Sequence, residues 1–126
     1  MMTRQELEER LVDFAASVYQ VAKLFPKENE GYYYKDQIIR SSASVALNYG
    51  EALSAESSKD FIHKIKILLK ELRETHIALR IIQRIRICSN EDLLIKTIRE
   101  TNELISIFNK SIETAKKNGL ELKNRT

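Results

Sequence analysis

The sequence predicts an all-α fold, an antiparallel up-down-up-down four-helix bundle. Three observations carry this. Only one proline and three glycines interrupt 126 residues, so the elements are long, and helices are the long kind. Apolar residues recur at four-three spacing in four separate stretches. Capping or helix-stopping chemistry stands at the ends of these stretches.

Helix 1 opens on Thr3 and Glu6 at capping-box spacing. Leu7, Leu11, Phe14, Val18, Val21 and Phe25 form its apolar face, and Pro26 stops it. Lys27 to Gly31 is a polar connection. Helix 2 runs from near Tyr32-Tyr33-Tyr34 to about Leu53, with Ile39, Ser42, Ala46, Tyr49 and Leu53 on one face. Its many small residues let a neighbouring backbone come close. Helix 3, the longest, spans about Ser58 to Arg86. Ser57 and Asp60 give it a cap with an acidic first turn. Phe61, Ile65, Leu68, Leu72, Thr75, Leu79 and Ile82 are its core stripe. Helix 4 starts with Ser89 as cap, with Leu94, Ile98, Thr101, Ile105, Phe108, Ile112 and Ala115 inward. Lys116, Lys117 and Gly119 read as its C-terminus. The bundle is therefore placed at residues 1–119 and a frayed tail at 120–126.

Short connections make sequential helices antiparallel neighbours. The sustained repeat of three and a half residues predicts shallow left-handed crossings. At 43% apolar and 31% charged residues, the composition is globular rather than disordered, and the length suits one domain. Cys88 is the only cysteine, so no internal disulfide forms, as in a reducing cytoplasm. The first residues show no apolar signal core, and the longest stretch without Asp, Glu, Lys or Arg, Ser41 to Gly50, is too short for a membrane span. The expectation is a soluble cytoplasmic protein without membrane contact.

Helices 3 and 4 carry more apolar residues than one stripe needs: Ile62, Ile67, Leu69, Ile77, Ile81 and Ile85, then Leu93, Leu104 and Ile107. Two readings stand. One is a wide core face with a few exposed apolar side chains. The other is a second buried face, and hence a homo-oligomer.

Helices 2 and 3, turning near residues 55 and 56, place Arg40 beside Glu71, Gln37 beside Glu74 and Asn48 beside His63. The matched chemistry predicts a partly buried polar ladder fixing their alignment. The alternative is a set of solvated side chains matched by chance. Glu51 opposite Asp60 fits the register only if Lys59, His63 or Lys64 intervenes.

The net charge of +3 says less than its distribution. From Ser58 to Ile87 there are eight Lys or Arg against three Asp or Glu, a net +5. Lys59, His63, Lys66, Lys70, Arg73, Arg80 and Arg84 keep four-three spacing, with Ile77 in the one gap. They share a single helix face opposite Phe61 and Leu68. The stripe is about 37 Å long at about 1.5 Å per residue. It is either a solvated outer face or a surface for RNA or DNA backbone. Without aromatics interleaved in it, binding there is expected to be backbone-driven and salt-dependent.

The sequence predicts no catalytic residues, metal site, cofactor or small-molecule substrate. Asp60-x-x-His63 has no second copy for a di-iron bundle, and Cys88 has no partners for zinc. No glycine-rich phosphate loop or activated nucleophile is present. An enzyme would need a site of another kind.

Several blocks carry a resemblance: Phe25-Pro26-Lys27, Arg40-Ser41, Ser44-Val45, Asn48-Tyr49-Gly50-Glu51-Ala52, Ala55-Glu56-Ser57, Asp60-Phe61-Ile62-His63-Lys64, Leu69-Lys70-Glu71 and Glu74-Thr75. Together they resemble the bacterial four-helix-bundle family encoded in intervening sequences of 23S ribosomal RNA genes, often labelled ribosomal. The chain is also distantly similar to the accessory variability determinant of diversity-generating retroelements. The match runs from about Leu11 to Ile112, with Arg40 to Thr75 its specific part. Some members read Asn-Ile-Ala-Glu-Gly where this chain has Asn48 to Ala52, which suggests a sub-branch. The resemblance implies a four-helix bundle assembling into a ring-like homopentamer. It also implies a role with nucleic acid or ribosomal RNA and no catalysis. Arg40, Asn48, Glu51, Asp60, Glu71 and Glu74 match the family pattern. A homo-oligomeric protein-interaction scaffold is the competing function.

Overall fold

Thr3 accepts a hydrogen bond from the Glu6 N–H at 3.1 Å and starts α1 (Arg4–Ala22). Ser57 does the same for Asp60, at 3.1 Å, at the start of α3 (Ser58–Ile85). Between them lies α2 (Asn29–Leu53), and α4 (Glu91–Arg125) completes the chain. These four helices, without strands, make up the computed structural model, which describes residues 2–125, excluding the side chains of residues 29, 30 and 120–125.

The helix ends differ from the sequence reading at three places. First, α2 starts a turn earlier than Tyr32, with Glu28 extended as its N-cap. Gly31 allows this: a Cβ there would lie 2.4 Å from the Pro26 carbonyl oxygen. Second, the cap of α4 is Asn90, not Ser89, because the Asn90 Oδ1 accepts from the Leu93 N–H at 3.1 Å. Third, α4 continues past Gly119 to Arg125. Gly119 lacks the positive φ of a helix C-cap, so residues 120–125 are helical where a frayed tail was expected. Met1 and Thr126, assigned above to the bundle and the tail, lie outside the described residues.

Each helix packs on its sequence neighbours, α1 also touches α4, and α1–α4 is the sparsest of the four contacts. The core that results is continuous. From α1 it takes Leu11, Phe14, Val18 and Val21, and from α3 Ile65, Leu68, Leu72, Leu79 and Ile82, all as expected. In α2 the buried line is Ile38, Ser41, Ser42, Val45, Tyr49 and Ala52, while Ile39, Ala46 and Leu53 are half-buried. In α4 the line is Leu94, Thr97, Thr101, Leu104 and Phe108, with Ile98, Ile105 and Ile112 at its edges. A core face is wider than a single stripe, and the small residues Ser41 and Thr97 belong to it. Tyr49 and Phe108 meet edge to face across the core, centroids 5.5 Å apart.

Buried hydroxyls are satisfied locally. Thr75, Thr97 and Thr101 each donate to the carbonyl four residues back, at 2.7–2.8 Å. Burial leaves no orphan side-chain polar atom among the described residues, which avoids the desolvation cost of an unmade bond.

The surplus apolar residues divide. Leu69 and Leu104 lie in the core, whereas Ile62, Ile67, Leu93 and Ile107 are half-buried. Ile77, Ile81 and Ile85 stand exposed on α3. Among the described residues, no helix is long and apolar enough to cross a membrane.

Candidate nucleic-acid interface

The α2–α3 seam positions the basic face. Ser41 and Thr75 meet in the buried seam at 2.6 Å. Thr75 donates to the Glu71 carbonyl, so satisfying both hydroxyls has Ser41 donate to Thr75. Lys64 pairs with Glu51 at 2.6 Å, supplying the intervening cation that the Glu51–Asp60 misfit required. These contacts pair falling residue numbers on α2 with rising numbers on α3, offset by about four residues, one turn, from the sequence register.

Of the expected polar ladder, the Arg40–Glu71 pair forms and the Asn48–His63 pair does not. Arg40 reaches both Glu71, at 3.5 Å, and Glu74, at 3.6 Å. The Arg40 side chain is 57% exposed and that of Glu71 14%, so the pair joins an exposed partner to a half-buried one. Asn48 does not meet His63. Its amide donates to the Ser44 carbonyl at 2.8 Å and the Ser44 hydroxyl at 3.0 Å, and His63 is exposed. The reason is the lean of side chains toward their own N-terminus, which shifts touching residues along both helices. Gln37 and Glu74 line one groove without a hydrogen bond between them.

The basic stripe faces outward along its whole length. Lys59, His63, Lys66, Lys70, Arg73, Arg80 and Arg84 are all exposed. Among the described residues none of them is ion-paired. The carboxylates take other partners: Glu51 takes Lys64, Glu71 and Glu74 take Arg40, and Glu100 and Glu103 take Arg10. Arg73 donates to the neutral Asn109 Oδ1 of α4 at 3.2 Å and keeps its charge uncompensated. An unneutralised line of one sign attracts polyanions.

Two places along the stripe gain groups that the sequence did not place there. Near its start, Lys116 of α4 joins Lys59, His63 and Lys66 around a shallow surface groove. Further along α3, a groove of about 530 Å³ opens beside Lys70 and Arg73. It is lined by Tyr33 and Tyr34 of α2 and by Ile77, Ala78 and Ile81 of α3. The expectation that the stripe has no aromatics holds within α3, but the fold brings two in from α2. Only tertiary register could reveal this.

Among the described residues, no three His, Cys, Asp or Glu side chains gather as a metal site requires. His76, on the same helix, has its pKa lowered by burial and secondarily by the Arg80 charge.

The family model described as 23S rRNA-intervening sequence protein matches residues 5–110. A crystal structure of a protein with unknown function, from the S23 ribosomal protein family and Bacteroides thetaiotaomicron, is similar to this chain. Its TM-score is 0.76 at 28% identity, covering 83% of this chain and 96% of that one. Among curated proteins, none matches the sequence.

Proposed function

The chain belongs to the 23S rRNA-intervening sequence protein family, and from that premise we propose a non-catalytic helical-bundle protein that contacts RNA or DNA backbone through α3. The observation that carries the proposal is the exposed and unpaired state of Lys59, Lys66, Lys70, Arg73, Arg80 and Arg84. Six cations along about 37 Å can each neutralise a phosphate of a bound strand.

The reading includes an antiparallel up-down-up-down arrangement, supported by the α2–α3 contacts and the neighbour order of the helices. It also includes assembly as a homo-oligomeric ring, a pentamer by family resemblance. Val12 and Tyr19 on α1 and Leu47 on α2 are exposed apolar side chains outside the basic groove that such an assembly could cover. A cytoplasmic location suits the single cysteine. The same exposed apolar groups favour a second reading, a protein-interaction scaffold without a nucleic-acid role.

Electrophoretic retardation of structured RNA separates the two. Six phosphate contacts imply an affinity loss on the order of 10³ between 50 and 200 mM salt. Retardation that survives the higher salt unchanged, or never occurs, contradicts the basic-face reading.

A further inference from the structure

The geometry points to a stacking site for an unpaired nucleobase in the groove between the start of α2 and the second half of α3. This rests on the basic-face reading and deepens it, by naming single-stranded RNA over duplex as the preferred ligand.

Tyr33 is 65% exposed and is the most exposed tyrosine of the chain's described residues. It is held rather than loose, because the half-buried Tyr34 packs against it edge to face, centroids 5.1 Å apart at 86°. Ile77 and Ile81, 51% and 39% exposed, provide aliphatic surface in the same groove. A base is flat and apolar on its faces and polar at its edges. An exposed tyrosine that shares its groove with two isoleucines suits the faces.

The polar edge also has partners. Gln37 lines the groove with an amide that can both donate and accept, and Glu74 offers a carboxylate whose charge Arg40 offsets at 3.6 Å. Lys70 and Arg73 stand on the same groove and continue the basic stripe. A single strand can therefore lay its phosphates on the cations and turn one base onto Tyr33. A duplex satisfies only the first half, since its bases are already stacked inside. The charged rim argues against an apolar protein segment, which would desolvate Lys70 and Arg73 without pairing them.

The test is fluorescence anisotropy of the full chain with a short oligoadenylate and with an RNA duplex of equal length, at one fixed salt concentration. Wild type is expected to bind the single strand about ten-fold tighter than the duplex. Tyr33→Ala should abolish that preference and leave duplex affinity unchanged, and Tyr33→Phe should retain it. Equal affinity of wild type for both RNAs, or a preference that survives Tyr33→Ala, overturns the stacking site while leaving the basic face intact. Binding to neither RNA overturns both. A Tyr33→Ala variant that alters sedimentation but not RNA affinity assigns the groove to contact between copies and overturns the site. Because Tyr33 is largely exposed, its variants should melt like wild type.

Discussion

Arg10 of α1 holds Glu100 of α4 through two parallel hydrogen bonds, Nε to Oε2 at 2.9 Å and Nη2 to Oε1 at 2.6 Å. Nη2 also reaches Glu103 at 2.8 Å. The bond to Glu100 is the chief reason the Arg10 guanidinium holds its proton more tightly than usual. This fork bridges the two helices that pack least, and bidentate geometry is the strong form of such a pair.

Arg10→Met should therefore loosen the α1–α4 seam. The Arg10 and Glu100 side chains are 27% and 28% exposed, between the surface and buried extremes. A double-mutant cycle with Glu100→Gln is expected to give a coupling of about 1 kcal/mol. A coupling indistinguishable from zero in urea unfolding would show that the fork contributes only geometry.

Two glycines should respond with opposite signs. Gly31→Ala drives a Cβ to 2.4 Å from the Pro26 carbonyl oxygen, backbone that cannot swing aside. A loss of about 1–3 kcal/mol is expected. Gly50, inside α2 with nothing within 4 Å of a built Cβ, should gain about 0.5–1 kcal/mol on becoming alanine. Thermal melts that move both variants the same way would contradict this account of the α1–α2 connection.

The α2–α3 seam gives a third contrast. Arg40 is mostly exposed, so Arg40→Met is expected to cost no more than about 1 kcal/mol. Thr75→Val leaves the buried Ser41 hydroxyl without its 2.6 Å partner and is expected to cost about 1–3 kcal/mol. Chemical denaturation compares them, and a larger cost for Arg40→Met would restore a buried ion pair as the aligning device.

His76 sets a pH dependence. Its folded pKa is lowered from 6.5, first by burial and then by Arg80. The folded protein takes up that proton less readily than the unfolded chain, so the His76 contribution is whole above the unfolded pKa. It is lost as pH falls from there through the lower folded value. Between neutral and mildly acidic pH, His76→Gln should lose less melting temperature than wild type. Parallel losses would remove His76 as the cause.

What the sequence shows of this protein follows from how local each feature is. The faces of α1 and α3 were legible because Leu11, Phe14, Leu68 and Leu72 repeat an apolar period that needs no partner to interpret. Ser41 of α2 and Thr97 of α4 were missed because small and hydroxyl side chains carry no such signal, and Ile38 and Val45 because the adjacent line through Ile39 and Ala46 keeps the same spacing. Whether they are buried depends on the helix facing them. The basic stripe was legible for the same local reason as α1, since spacing alone places Lys66, Lys70 and Arg73 on one face. The Arg10–Glu100 fork joins residues far apart in sequence, and nothing near either one marks its partner. Tyr33 shares a groove with Arg73 only because α2 and α3 are packed together, and neither residue's own neighbours mark that.

The most direct measurement of the central claim is the salt slope of duplex binding. It compares wild type with a chain carrying Lys66→Gln, Lys70→Gln, Arg73→Gln and Arg80→Gln. These side chains are exposed, so the variant should fold. If α3 neutralises phosphates, the log–log slope should become shallower by about 1 for each cation removed. Parallel slopes for the two proteins would contradict a nucleic-acid role for this face.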